Sequence, residues 1–286
     1  MSQDLDSATA SAPATSANLG PGFDCIALAL DIRCTVKASH ADQWSVEHLG
    51  RYQPASEQSD GVLAAARRVV GDATPLAIQV DADIPIGKGL GSSAAASVAG
   101  IAAAMRLAGE EPGLDHVYRI GVELEGHSDN VAAAVYGGLT LVPAEGLPLR
   151  LPFHPGLQVV VGVPDRDLAT EQARRVIDPF HPQERVLRSL ARVAALTAGL
   201  ITGDPELLTA AHGDEIHERP RDGLSPEVAG LIELGKGAGA LHAARSGSGP
   251  SVIALCTNET RERVVAAFAE VGLEALTPQV ATTGLV

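Results

Sequence analysis

The sequence predicts a two-domain protein of mixed helix and strand, α/β or α+β, on three observations. Strand-like and helix-like segments alternate along all 286 residues without a fixed repeat period, which excludes solenoids and propellers. The composition, 45% hydrophobic, 20% charged and 3% aromatic, belongs to a chain that buries full hydrophobic cores. In LPFHPGLQ (151–158) two prolines, a histidine and a glycine break the pattern, and a new strand begins behind them. A junction near residue 155 therefore divides the chain into an N-terminal domain, 1–155, and a C-terminal domain, 156–286.

The opening MSQDLDSATASA has no basic segment and no apolar core, so it reads as a frayed terminus without a targeting signal. SAPATSANLGPGFDCIALALDIRCTVKAS follows as a short strand, a Gly/Pro/Asn turn, and an apolar strand or short helix passing into alternation around Ile32 to Val36. DGVLAAARRVV is an amphipathic helix, and LAIQVDADIP a strand with Ile78 and Val80 on one face. PIGKGLGSSAAA (85–96) then leads into a long helix of small residues. Helices at 114–125 and from Asn130 precede the strand GGLTLVP. Beyond the junction come the strand LQVVVGVP and helices at 168–177, 182–201, 205–218 and 226–236. Two strands bracket SGSGPS, and RERVVAAFAEVGLEALTPQV closes the chain as a helix and a strand.

Charge narrows the partners. A formal net charge of −14 repels polyanions, which argues against nucleic acid and against an anionic membrane surface. No apolar run reaches membrane-spanning length. Cys25, Cys34 and Cys256 have neither disulfide nor zinc spacing, so reduced thiols in the cytoplasm are the expectation. The histidines of HADQWSVEHLGRYQP, HGDEIHE and LPFHPG share no metal-ligand spacing and read as solvated surface.

The chemistry begins at 85–96. Gly87, Gly89 and Gly91 permit tight turns and close backbone approach to a ligand, and the helix behind them presents free N–H groups and a positive dipole end. That arrangement seats phosphate, and a nucleotide follows as the expected ligand. Lys88 is followed by Gly89 instead of Ser or Thr, and the spacing is GxGxG, so neither the P-loop nor the dinucleotide fingerprint is matched. Read alone, the loop equally suits a flexible connection to a closely packed helix.

PIGKGLGSSAAASVAG resembles the central phosphate-binding motif of the GHMP kinases, the family of galactokinase, homoserine kinase and mevalonate kinase. PATSANLGPGFDCIALAL (13–30) resembles that family's first motif in its homoserine kinase form, and SGSGPS (246–251) its third. ELEGHSDNVAAAVYGG (123–138) is similar to the segment that meets metal and substrate. The four motifs fall in family order across nearly the whole chain. The resemblance implies an α+β fold with an N-terminal ATP-binding α/β domain and a C-terminal ferredoxin-like domain, ATP between them, and a homodimer. The activity implied is transfer of phosphate from ATP to L-homoserine, toward threonine. A kinase of another small alcohol, such as mevalonate or shikimate, and a nucleotide-binding regulator without turnover are the alternatives.

Carried over motif by motif, the resemblance assigns ATP to Pro85, Ile86, Gly87, Lys88, Gly89, Leu90, Gly91, Ser92, Ser93, Ala94 and Ala95. Mg²⁺ falls to Ser92 or Ser93 with Glu123, and Glu125 is held in reserve; few protein oxygens suffice for this ion. Glu123 also suits a surface pair with Arg119 at i−4. Asn18, Asp24, His127, Asp129 and Asn130 are implied at the amino and hydroxyl end of homoserine, with positioning roles for Asp24, Asn130 and His127 and no general base named. As residues alone, Asn18 and Asp24 equally form turns, Asp129 equally caps a helix, and His127 equally serves the structure. Arg174 and Arg221 resemble the arginines that clamp the carboxylate through paired charge-assisted bonds. Arg175 adjoins the first, and the second lies in Glu-Arg-Pro-Arg where the family has Glu-Pro-x-Arg, which leaves Arg219 as a competitor.

Overall fold

The computed structural model describes residues 6–54 and 60–286. Its first sheet grows from two long antiparallel strands, β1 (Ser7–Asn18) and β2 (Gly22–His40). The free edge of β2 is long enough to take two further neighbours. β3 (Ser45–His48) and β4 (Leu76–Ala82) pair in parallel, and β4 lies antiparallel to residues 34–40 of β2. β5 (Leu139–Leu141) pairs with residues 26–28 of the same strand and carries β6 (Leu149–Leu151) on its other side.

Helices α1 (Gly61–Val70), α2 (Ser92–Leu107), α3 (Leu114–Glu125) and α4 (Asp129–Tyr136) pack together, with α2 in contact with the other three and with β1 and β2. Twelve of its sixteen residues are buried, because the small side chains of its Ala, Ser and Gly let neighbouring backbones come close.

The second sheet is antiparallel, in the order β10 (Glu274–Leu276), β7 (Gln158–Val163), β9 (Val252–Cys256), β8 (His242–Arg245). Both faces are buried, which explains the unbroken apolar runs of these strands. Alternation sorts them: Val159, Val161, Ile253 and Leu255 join the core shared with the first sheet, while Val160, Val252 and Ala254 face the opposite cluster. That cluster includes Val228 and Phe268, from α9 (Glu227–Gly237) and α10 (Arg261–Glu270). Between β7 and α9 run α5 (Thr170–Arg175), α6 (Gln183–Thr202), α7 (Pro205–Ala210) and the single turn α8 (Glu218–Arg221). The final residues return to the first sheet, where Ser11 and Val286 exchange backbone hydrogen bonds of 2.8 and 2.9 Å and Leu30 bridges Val280.

Several expectations need correction. Residues 1–5 of the expected frayed terminus lie outside the described residues, but Ser7 is already in β1, held by β2 and by the C-terminal residues. The segment after the first turn is one continuous strand. The helix expected over 205–218 is broken: Gly213 turns at φ +82°, and the Asp214 side chain accepts the N–H groups of Ile216, His217 and Glu218. HGDEIHE is therefore not a solvated stretch, since Asp214, His217 and Glu218 are all buried. HADQWSVEHLGRYQP likewise contains β3, whose His48 pairs with Asp60 at 2.7 Å. Among the described residues no helix is long and apolar enough to cross a membrane.

Candidate functional site

The alternate glycines between β4 and α2 all adopt left-handed backbone, with φ of +69° at Gly87, +78° at Gly89 and +64° at Gly91. Two of them also have no room for a side chain. A Cβ on Gly89 would lie 2.2 Å from the Ser246 carbonyl oxygen, and one on Gly91 would lie 1.9 Å from Thr15 Oγ1. The loop is wedged between β1 and the SGSGPS loop: Thr15 N–H donates to Leu90 O at 3.0 Å, Ser246 Oγ donates to Gly89 O at 2.7 Å, and Ser16 Oγ meets Ser246 Oγ at 2.8 Å. Three stretches far apart in sequence thus build one wall. In front of it, with the first turn of α2 at its floor, opens a cavity of about 290 Å³.

Gly87, Gly89, Gly91, Ser92, Ser93 and Ala94 line this cavity, as do Asn18, His127, Asp129, Asn130, Arg174 and Arg221. The fold also adds Glu125, Thr170, Glu171, Gly247 and Ser248. Of the remaining loop residues, Pro85, Leu90 and Ala95 are buried and Ile86 borders a neighbouring hollow. Lys88 turns away: its Nζ donates to the carbonyls of Asp165 and Arg166 and pairs with Asp167 at 2.8 Å.

The two glutamates of α3 separate cleanly. Residues two apart on a helix differ by about 200° in direction, so only one can face the cavity. Glu123 points out and pairs with Arg68 through two bonds of 2.9 and 3.1 Å. Arg119 is not the partner. Glu125 faces in and accepts from Ser93 Oγ at 2.9 Å and Ser97 Oγ at 2.7 Å, hydroxyls one turn apart on α2. This geometry corrects the expectation for Glu123, which points away from the cavity; the carboxylate beside the loop serine is that of Glu125.

Gly126, at φ +72°, ends α3 and lets the chain re-enter α4 after a sharp turn that carries His127 and Asp129 into the cavity. His127 Nδ1 stands 3.3 Å from Asp129 Oδ1, which accepts the Asn130 N–H at 2.8 Å. Asn130 Oδ1 accepts from Thr15 Oγ1 at 2.7 Å, which turns its amide nitrogen toward the side where Asp129 lies. Thr15 went unnoticed in the sequence although the first motif contains it.

On the opposite wall Arg174 holds Asp24 through both carboxylate oxygens. Arg175 faces out and pairs with Glu171. Arg221 is buried and lines the cavity, whereas Arg219 is exposed and does not. Burial, with Arg245 and Arg174 adding to it, pulls the Arg221 guanidinium down to about 10, so it stays cationic at neutral pH. Asn18, at φ +69°, accepts the Asp24 N–H at 3.0 Å and donates to Gly247 O at 2.9 Å, so it ties the first motif to the third. Burial, followed by Asp129 and Asp24, pushes the Cys25 thiol up to about 11, which keeps it from acting as a thiolate.

A glycine-rich loop at a helix start, an inward carboxylate and two cationic forks meet in one cleft. Residues 60–138 match the model of the GHMP kinases N terminal domain, and residues 185–273 match that of the GHMP kinases C terminal domain. The chain belongs to the GHMP kinase family. Within it, homoserine kinase from Trichodesmium erythraeum is 35% identical over 92% of this chain and 90% of its own, and a homoserine kinase from Thermus thermophilus is 39% identical over 85% of each. The crystal structure of homoserine kinase from Cytophaga hutchinsonii superposes with a TM-score of 0.85 at 27% identity, covering 100% of this chain and 98% of that one. Mevalonate kinase from Methanococcus jannaschii shares the fold, with a TM-score of 0.72 at 15% identity over 95% and 98% of the two chains.

Proposed function

We propose that this chain transfers the γ-phosphoryl group of ATP to the hydroxyl of L-homoserine, giving O-phospho-L-homoserine, a step toward threonine. The observation that carries the reading is the meeting, in one cavity, of a glycine loop with two arginines, one of which holds the acid Asp24, a set suited to a zwitterion. A mevalonate or shikimate acceptor has no ammonium group and would leave that acid without its partner.

The loop amides and the start of α2 would hold the transferring phosphates. Beside them the apolar hollow lined by Val62, Val80, Ala82, Ile84 and Ala96 shares Ser92 and Ser93 with the cavity and would take the base. Mg²⁺ fits the hard oxygens of Ser93 and Glu125, which already lie within 2.9 Å of each other, and when bound it would offset phosphate charge. Asp24 would take the substrate ammonium, and Arg174 and Arg221 its carboxylate. Asn18, His127, Asp129 and Asn130 would orient the hydroxyl. In a loose transition state the bond to the acceptor forms late, so the proton can leave to the phosphate and position matters more than a base.

A homodimer and a cytoplasmic location belong to the same proposal. The exposed apolar side chains Phe180, Leu187 and Leu190, on and beside α6, support the former, and free thiols at all three cysteines fit the latter. The test is ADP release from MgATP by the purified protein with L-homoserine, mevalonate, shikimate or no acceptor. Release with L-homoserine alone is expected; release with mevalonate or shikimate instead would retire the zwitterion site, and ATP binding without release would favour the regulator.

A further inference from the structure

Arg221 spends its hydrogen bonds unevenly. Nε donates to Ala173 O at 3.1 Å, and Nη1 donates to Gly247 O at 3.1 Å and to His217 Nδ1 at 2.7 Å. Among the described residues Nη2 has no partner, yet it is not a sealed, unsatisfied atom, and Arg221 lines the cavity. A guanidinium has five N–H bonds, so three are committed to protein and the two on Nη2 remain.

His217 closes this arrangement from behind. It is fully buried, its ring stacks on Phe23 at 4.8 Å, and the same Phe23 ring lies 5.6 Å from the Arg221 guanidinium carbon. Its Nε2 reaches the Gly20 carbonyl at 2.8 Å. A guanidinium can only donate and a carbonyl can only accept, so one imidazole state satisfies both: neutral, with the proton on Nε2. Gly20 ends a run of left-handed residues, Asn18, Leu19 and Gly20, which also carries the side chain of Asn18.

We infer that His217 is a positioning residue, holding Arg221 so that Nη2 presents to the acceptor and tying that arginine to the turn that places Asn18. The inference rests on the reading of Arg221 as a carboxylate ligand. Burial, and the Arg221 charge after it, keep the imidazole neutral through the physiological range, as the role requires. The Asp214 carboxylate fixes the backbone of this histidine by accepting its N–H.

Two amides divide the histidine's two jobs. His217→Asn keeps an acceptor near Nδ1 for Arg221, whereas His217→Gln keeps a donor near Nε2 for Gly20 and loses that acceptor. The KM for L-homoserine should rise about tenfold or more in His217→Gln and less than about threefold in His217→Asn, with the KM for ATP within about twofold in both. In an Arg221→Lys background, His217→Gln should add less than about twofold. Equal acceptor KM in the two amide variants, a parallel rise in the KM for ATP, or additive effects with Arg221→Lys would overturn the inference while leaving the carboxylate reading intact. A normal acceptor KM in Arg221→Lys alone would retire that reading, and the inference with it. Should the variants fail to fold, imidazole nitrogen resonances of the unaltered protein decide. The Nε2–H tautomer with no titration between about pH 5 and 8 is expected, and an Nδ1–H or protonated ring overturns the assignment.

Discussion

Arg174, which lines the cavity, grips Asp24 through two bonds, Nη2 to Oδ1 at 2.7 Å and Nη1 to Oδ2 at 3.2 Å, joining α5 to the start of β2. A zwitterionic acceptor can replace this pair with two new ones, its ammonium on Asp24 and its carboxylate on Arg174. Arg174→Ala should therefore raise the KM for homoserine by about tenfold or more and leave that for ATP nearly unchanged, because a bond to an ion is worth roughly 1.5–3 kcal/mol. Thermal stability should fall by less than about 1 kcal/mol, since both side chains are more than a third exposed and solvent screens the pair. Steady-state kinetics with a melt of the same sample checks both, and an unaltered homoserine KM would remove Arg174 from the site.

Glu125 and Glu123 provide a matched contrast on one helix. Glu125→Gln should lower turnover by about a hundredfold or more and shift the Mg²⁺ requirement to higher concentration, because it removes the charge beside Ser93. Glu123→Gln should leave both near wild type, since its carboxylate pairs with Arg68 at the surface. Titration of activity with Mg²⁺ distinguishes the two, and a reversed pattern would return the metal role to Glu123.

These contrasts mark how far the sequence reaches. The motifs locate the loop, the first turn, the α3–α4 corner and the SGSGPS loop, because glycine placement and short polar motifs are local. The long periodic run of α6 and the unbroken apolar run of β7 are legible for the same reason. Helix phase is not: choosing Glu125 over Glu123 required knowing which side of α3 meets α2. Nor could local pattern show that HGDEIHE is buried, since its Asp214, His217 and Glu218 look hydrophilic, and Gly20 and Arg245, which bond His217 and Glu218, come from distant segments. The edge strand β3 is short and half polar, so its pairing with β4 is settled by the sheet alone.

Gly91→Ala tests the loop. The substitution forces a Cβ within 1.9 Å of Thr15 Oγ1 at a left-handed φ, and the hydroxyl that must yield is the one that orients Asn130. The backbone cost alone is about 1–2 kcal/mol. Weaker ATP binding by calorimetry and a loss of kcat are expected together, whereas full activity would place the phosphates elsewhere.

Stability should depend on pH through buried groups of opposite sign. Burial pulls His242 down to about 4 and His217 well down too, so the unfolded chain takes up protons below about pH 6.5 that the folded chain refuses. Their stabilising contribution is full above that pH and is lost as pH falls, at up to about 1.4 kcal/mol per unit per group. Burial pushes Glu218 up to about 7, so here the folded chain holds a proton that the unfolded chain releases above about pH 4.5, and stability is lost as pH rises toward 7. Asp214, also raised by burial, acts in the direction of Glu218. Glu218→Gln keeps the acceptor for the Arg245 N–H and should remove the Glu218 share of the loss between about pH 4.5 and 7 from denaturant melts. A melt difference between variant and parent that does not change with pH would mean that Glu218 is ionised in the fold.

Lys88 occupies the position where a cation could be expected to meet phosphate, but its side chain is only 11% exposed and is engaged by Asp165, Arg166 and Asp167. Gly87 O accepts the Leu168 N–H at 2.9 Å in the same place, so this segment joins the phosphate loop to the chain leading into α5, where Thr170 and Arg174 reside. Lys88→Met keeps the stem and removes the charge. Loosening that connection should raise the KM values for ATP and homoserine together by a few fold and lower kcat by less than about tenfold. A group that stabilises charge on the transferring phosphoryl would instead cost about a hundredfold or more in kcat, as loss of a preorganised donor does. Rapid-quench measurement of the transfer step in Lys88→Met separates the two roles: a small change keeps Lys88 as the brace between loop and α5, and a collapse of that step with normal binding would put its ammonium on the phosphates.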